Sequence, residues 1–274
     1  MDIDLTLPSG RVRARRWGAD DAPLLLCVHG LSANLCGFAW LAERLASDRQ
    51  VVAIDLRGRG RSEITPPGSY GLDNHARDIL DVATALGVDD FDIAGWSLGA
   101  LISMRVALDN GDRLRSVTLI DHAGPADAAA LEPIRSGLDR LDAVVPTQDA
   151  YLQAIRAAGV IDPWSPFWDA YHLYELEQLP DGSWSPSTSR AAAEEDLHQE
   201  WPSDWSDHWH ALTMPTVLVR AMKPLNGALI VPDRAVDALV ATNPKVRVVE
   251  TPESNHFTCI IDPITLAAMR EILS

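Results

Sequence analysis

Lysine is almost missing from this chain of 274 residues: Lys223 and Lys245 are the only two. The other basic residues are arginine, and 23 basic against 39 acidic side chains leave a formal charge of −16. A surface this acidic repels phosphate backbones and anionic lipid, so neither nucleic acid nor membrane is an expected partner. Cysteine is scarce too. Cys27, Cys36 and Cys259 are odd in number and far apart, which excludes a disulfide framework and a zinc spacing and fits a reducing compartment. No stretch approaches the roughly 18 uninterrupted apolar residues of a membrane span. Met1-Asp2-Ile3-Asp4 lacks the basic and apolar regions of a secretory signal. The expected location is the cytoplasm. There is no internal repeat, no low-complexity tract, and no signal for an oligomeric state.

What is present describes a folded protein. Hydrophobic residues make up 47% and charged residues 23%, enough apolar material for one large core. Ile3, Leu5 and Leu7 alternate, Pro8-Ser9-Gly10 turns, and Val12, Ala14 and Arg16 alternate again, as in a hairpin. The pattern then changes. Leu24–Val28, Val51–Ile54, the run from Ile93 and Val117–Ile120 are short apolar stretches typical of a sheet covered on both faces. Helical periodicity fills the intervals, at about 37–45, 74–86 and from Leu98 to Leu108. Strand alternating with helix predicts an α/β architecture: a mostly parallel sheet, helices on both faces, sites at the strand ends.

That regularity stops after Pro125. As far as about Leu212 the pattern is helical and aromatic, holding six of the nine tryptophans, with a tight turn at Asp181-Gly182. The sheet pattern resumes at Thr216–Arg220, followed by a helix near 233–241, a strand at Val246–Val249 and a helix from about Pro263 to Leu273. Eight strands are expected in all. The chain therefore divides into a core of residues 1–124 and 213–274 and an inserted helical cap of residues 125–212.

Gly95-Trp96-Ser97-Leu98-Gly99 lies where one strand passes into its helix, the G-x-S-x-G pattern of a nucleophile elbow. So sharp a turn strains the serine backbone and leaves no room for side chains at Gly95 and Gly99. It also exposes the Ser97 hydroxyl at the positive end of the helix and sets the Leu98 N–H where a carbonyl oxygen would gain charge. Three further motifs flank it in order: His29-Gly30, Asp55-Leu56-Arg57-Gly58-Arg59-Gly60-Arg61-Ser62 and Glu253-Ser254-Asn255-His256-Phe257. Each follows a predicted strand. Together they resemble the α/β-hydrolase superfamily over essentially the whole chain.

The resemblance implies a serine nucleophile, an acid and a histidine beneath a cap. His256, between the last strand and the last helix, takes the place of the general base. His29 falls in the oxyanion-loop motif, where the ring is structural and the Leu31 amide joins that of Leu98 as donor; the Ser32 hydroxyl is an alternative. The acid is less regular. Its commoner position is the loop after Arg220, and residues 221–232 contain no carboxylate. Asp233 follows but reads as a helix N-cap. Asp121 ends the strand after the elbow helix, 24 residues beyond Ser97, the placement seen in haloalkane dehalogenases and the zearalenone-hydrolase group. From there a carboxylate can reach His256 and hold the imidazolium. Asp121 is the preferred acid, Asp233 the rival, and a site without a true acid the third case.

These residues predict acyl transfer through an acyl-enzyme on Ser97, with no cofactor. His208 and His210 lack a third ligand, so no metal is expected. The serine disfavours dehalogenase and epoxide-hydrolase chemistry, which attack with aspartate. Trp164, Trp168, Tyr171 and Trp184 are candidates for the cap's contact with substrate, and an aromatic roof favours a small hydrophobic ester or lactone. The alternatives with the same triad are C–C bond or amide hydrolysis and cofactor-free haloperoxidase-like activity. A non-catalytic ligand-binding protein on the same fold is the alternative from another class.

Overall fold

The computed structural model describes residues 1–199 and 201–274. The chain opens with β1 (Asp2–Leu7) and β2 (Gly10–Trp17), an antiparallel hairpin with Leu7 opposite Gly10. β3 (Leu24–Val28), α1 (Ala39–Leu45), β4 (Gln50–Ile54), α2 (Leu72–Ala85), β5 (Phe91–Trp96), α3 (Leu98–Asn110) and β6 (Leu114–Ile120) then alternate. The expected helix at 37–45 is split, because the Asn34 side chain accepts from the Cys36 N–H and starts a 3₁₀ turn, Leu35–Phe38, ahead of α1.

After Ile120 the chain leaves the sheet for almost a hundred residues. This insertion holds α4 (Ala128–Ser136), a 3₁₀ turn Gly137–Asp142, α5 (Gln148–Ala157) and α6 (Pro166–Tyr174). A short hairpin of β7 (Leu176–Gln178) and β8 (Trp184–Pro186) follows, with Asp181-Gly182 in its turn. α7 (Arg190–His198) and α8 (Ser206–His210) complete it. The sheet resumes with β9 (Thr216–Ala221), then α9 (Asp233–Thr242), β10 (Arg247–Thr251) and α10 (Pro263–Ile272).

The eight strands run in the order β1-β2-β4-β3-β5-β6-β9-β10. β2 meets β4 antiparallel, and every pairing from β4 to β10 is parallel. β3, β4, β5 and β9 are buried along their whole length, which is why they read as unbroken apolar runs rather than alternations. One core, containing Ile79, Val82, Ile102 and Leu239, packs α2, α3 and α9 on one face. The other, containing Leu41, Leu45, Leu266 and Met269, packs α1 and α10 on the opposite face. The three cysteines are free and buried. Among the described residues no helix is long and apolar enough to cross a membrane.

Charge as well as apolar contact ties the insertion to the sheet. Glu194-Glu195-Asp196 reads in sequence as the solvated face of a helix, and the structure overturns this for two of the three. Asp196 has no exposed surface; it pairs with Arg59, accepts from His75 Nε2 at 2.9 Å, and accepts the Gly71 N–H at 2.7 Å. Glu195 accepts the N–H groups of Gly68 and Tyr70 at 2.9 and 3.0 Å. These donors precede α2 or lie on it and have no nearer partner, so α7 must turn its acidic side inward. Asp55, at the end of β4, does order the arginine-glycine loop: its carboxylate accepts the N–H groups of Arg61 and Leu35 at 2.8 Å and the Tyr174 hydroxyl at 2.7 Å.

Burial pushes the Asp196 carboxyl up, but the Arg59 charge and the donors from His75 and Gly71 outweigh it and hold it at about 2. A depressed carboxyl stabilises the fold above its ordinary value of 3.8, and that contribution is lost as pH falls toward 2. Asp196→Asn leaves the Arg59 guanidinium buried without its counter-charge and is expected to destabilise by about 3 kcal/mol or more. Denaturant unfolding of both proteins checks this, and the gap should be full at neutral pH and shrink in acid.

Candidate active site

The parallel strand ends bring four separate stretches of sequence together. β5 runs into Ser97, whose backbone sits at φ +58°, ψ −118° before α3 begins. A Cβ at Gly95 would lie 2.0 Å from the Gly99 carbonyl oxygen, and one at Gly99 would lie 1.9 Å from that of Val28. Nothing larger than glycine fits either place. One strand over, β6 runs into Asp121, also at positive φ, +48°. The Ser97 N–H donates to the Ile120 carbonyl at 2.9 Å and the Asp121 N–H to that of Val219 at 2.8 Å. Each strand thus fixes the residue that leaves its neighbour.

His256 lies in the loop between β10 and α10, where the Trp96 indole N–H donates to its carbonyl at 2.9 Å. Its ring closes the site. Nδ1 is 2.8 Å from Asp121 Oδ2 and Nε2 is 3.0 Å from Ser97 Oγ. A carboxylate can only accept, so Nδ1 carries the proton and Nε2 is free to accept the Ser97 hydroxyl. The second Asp121 oxygen accepts the Ala221 N–H from the end of β9 at 2.9 Å, which fixes the carboxylate plane. All three residues are buried, Ser97 least so at 7% exposed.

Asp233, the other candidate acid, lies away from His256. Asp233 is exposed and paired with Arg220 at the start of α9. It is the first residue of that helix and not its N-cap, which is Pro232, because its side chain turns back to the guanidinium. The His29 ring is a structural post: Nδ1 donates to the Gly30 carbonyl at 2.8 Å and Nε2 accepts the Leu56 N–H at 3.0 Å. Burial lowers it to about 3, so it stays neutral. The N–H groups of Leu31 and Leu98 have no protein acceptor among the described residues. His122, next to Asp121, is also driven down to about 3 by burial and by His256.

Ser97 and His256 open into a cavity of about 140 Å³. Its floor comes from Gly30, Leu31, Trp96 and Phe257, and the insertion covers it with Ile134, Ile155, Ile161, Trp168 and Tyr171. Of the four aromatic residues expected at substrate, Trp168 and Tyr171 are in this wall and Trp164 and Trp184 are not. Trp164 lies one layer out, stacked on His172 at 5.7 Å and donating to Asp169. Trp184 belongs to the β7–β8 hairpin, its backbone paired with Val145. Spacing in the sequence cannot separate the inner layer of an insertion from the outer one.

The wall also holds residues that sequence reasoning passed over. Arg140 and His172 line the cavity, and behind them lies Glu175, with no exposed surface. Glu175 accepts Arg140 Nη1 at 3.0 Å, the Tyr151 hydroxyl at 2.7 Å and His172 Nδ1 at 3.1 Å. Burial alone would push its carboxyl up; the Arg140 charge and the His172 and Tyr151 bonds hold it below the usual range. Arg140 Nη2 also donates to the Ser32 carbonyl at 2.6 Å, which ties the insertion to the loop carrying Leu31. The only sequence signal was an arginine between Leu138 and Leu141, which reads as the outer face of a helical turn.

Fold and site now define a class. The family described as alpha/beta hydrolase fold matches residues 23–263. The chain belongs to this family and has the α/β-hydrolase fold. It is 27% identical over 270 residues to the 2-(acetamidomethylene)succinate hydrolase of Mesorhizobium japonicum, covering 96% of this chain and 92% of that one. It is 35% identical over 106 residues to the N-formylmaleamate deformylase of Pseudomonas putida, a match spanning 39% of each chain. Such matches span about two fifths of the length of the first curated relatives. A crystal structure of E-2-(acetamidomethylene)succinate hydrolase superposes with a TM-score of 0.88 over 100% of this chain and 98% of that one, at 24% identity.

The elbow geometry makes a direct test. Gly99→Ala drives a methyl group into the Val28 carbonyl, and the backbone cannot yield without moving Ser97. The expected loss is about 3 kcal/mol of stability, read from denaturant unfolding.

Proposed function

We propose that this protein hydrolyses a small acyl substrate through an acyl-enzyme on Ser97. The observation that carries the reading is the buried line from Asp121 through His256 to Ser97, with bonds of 2.8 and 3.0 Å. His256 takes the Ser97 proton as the hydroxyl attacks a carbonyl, and Asp121 stabilises the imidazolium that results. The N–H groups of Leu31 and Leu98 receive the oxyanion; neither has a competing protein partner among the described residues. His256 then protonates the leaving group, and water releases the acyl group by the same steps in reverse. Nothing in the sequence of steps calls on a cofactor. Residues 125–212 act as the cap that roofs the site on the core of residues 1–124 and 213–274.

An amide-type C–N bond is the first reading of what is cleaved. It is supported by the relatives, one named for hydrolysis of an acetamido compound along nearly its whole length and one for removal of a formyl group. An ester or lactone is the second reading, supported by the largely apolar wall of Ile134, Ile155, Ile161 and Phe257. Both use the same Ser97 chemistry, so the nature of the leaving group separates them.

A fluorophosphonate probe is expected to label intact protein at Ser97 and to leave Ser97→Ala unlabelled; absence of label on the intact protein overturns the catalytic reading. Parallel panels of N-acyl amides and matched esters decide between the bonds, with Ser97→Ala as the blank. Asp121→Asn is expected to lower kcat by about 10⁴, since the His256 tautomer is lost, whereas Asp233→Asn should leave kcat within about twofold, Asp233 being a surface partner of Arg220. The opposite ranking places the acid at Asp233.

A further inference from the structure

The cavity wall carries one permanent charge among the described residues, Arg140, and two buried hydrogen-bonding atoms without partners, Trp168 Nε1 and His172 Nε2. These groups are contiguous. The Trp168 and His172 rings are 6.4 Å apart, His172 Nδ1 meets Glu175 at 3.1 Å, and Glu175 meets Arg140 at 3.0 Å. Unpartnered polar atoms are costly in a protein interior and call for an explanation. Both residues line the cavity, with these nitrogens buried in its wall.

Their arrangement is directional. Glu175 is out of contact with the cavity, while Arg140, its side chain 19% exposed, and His172 face it. A molecule in the cavity therefore meets the cation and not its counter-ion. Guanidinium and indole N–H groups only donate, so the complement they require is an acceptor, and beside a fixed positive charge an anionic one. Nη1 gives one N–H to Glu175 and Nη2 one to the Ser32 carbonyl, and the guanidinium N–H groups left over suit a carboxylate in particular.

We propose that Arg140 and Trp168, supported by His172 and Glu175, form a subsite for a carboxylate on the substrate, remote from the bond that Ser97 attacks. The substrate class is then an acylated acid, with an apolar body and a carboxylate tail. This refines the expectation of a wholly hydrophobic substrate: the wall is apolar except where Arg140 interrupts it. The inference rests on reading the Ser97 cavity as the substrate site, yet it concerns binding and can fail independently of catalysis.

The test uses simple acids on the full chain carrying Ser97→Ala, so that nothing is turned over. Calorimetry compares butanoate, hexanoate and octanoate with their primary carboxamides, which match them in shape and lack the charge. At least one acid is expected to bind about tenfold or more tightly than its amide. Adding Arg140→Gln should level the two, and adding Trp168→Phe should narrow the gap while the fold is kept. Arg140→Gln leaves Glu175 buried without its cation, so Arg140→Gln/Glu175→Gln is measured beside it, with thermal melting to confirm folding. A merely structural Arg140 would weaken acid and amide alike. Equal affinities in the starting protein, no binding of any acid, or a preference that survives both Arg140 variants overturns the proposal. Fluorophosphonate labelling of Ser97 in the otherwise native chain is read separately, so loss of the subsite and loss of the catalytic reading give different results.

Discussion

Everything in this molecule depends on how closely the elbow is packed against the neighbouring strand. With a glycine Cα at position 99 lying under the Val28 carbonyl, α3 can start directly behind β5 and Ser97 is forced to positive φ. A non-glycine residue held there costs on the order of 1–3 kcal/mol and persists only where its surroundings over-determine it. The surroundings here are the parallel ladder itself. Its hydrogen bonds continue one residue past the strands, from Ser97 to Ile120 and from Asp121 to Val219. Two strained residues on adjacent strand ends are thus held by the same device, and the histidine needs only a loop to reach them both.

That loop is not free either. The Trp96 indole, one residue before the serine, donates to the His256 carbonyl, so the elbow positions the backbone of the histidine that meets it. Asp121 spends one oxygen on His256 and the other on the Ala221 N–H. With both ends of the imidazole and both oxygens of the acid assigned, no member of the line can rotate without breaking a buried bond. Preorganisation of this kind lets a site stabilise developing charge without reorganising when the reaction occurs.

The parts legible in the sequence are those governed by local backbone demands. Glycine at 95 and 99, serine between them, and apolar runs ending at 29, 97 and 121 each follow from what a strand end can accommodate. Asp121 could be chosen over Asp233 because residues 221–232 hold no carboxylate. The insertion was another matter. Its helices and its Asp181-Gly182 turn were readable, but which side of α7 faced inward, and which tryptophans met the cavity, depended on partners far away in sequence. Asp196 was misread because its counter-ion, Arg59, lies 137 residues earlier. Arg140 was passed over because a polar residue between leucines looks the same whether it faces water or a buried carboxylate.

The misread residues share a physical logic. Buried ion pairs are poor sources of stability, since desolvation consumes much of their attraction, but a lone buried charge is far worse. Arg59 with Asp196 joins the core to the insertion, and Arg140 with Glu175 joins two segments within the insertion, so each partner comes from a different stretch of chain. Any docking of the insertion that separates Arg59 from Asp196 strands two charges, and any misfolding within it that parts Arg140 from Glu175 does the same, so the pairs penalise wrong placements more than they reward the right one. In a chain with a net charge of −16, that constraint also fixes where positive charge can survive inside. Surface carboxylates are screened over roughly 8–10 Å in physiological salt, whereas a guanidinium in the cavity wall acts over a few ångströms through a poorly screening interior. At that range the local cation, rather than the acidic exterior, dominates the field inside the cavity.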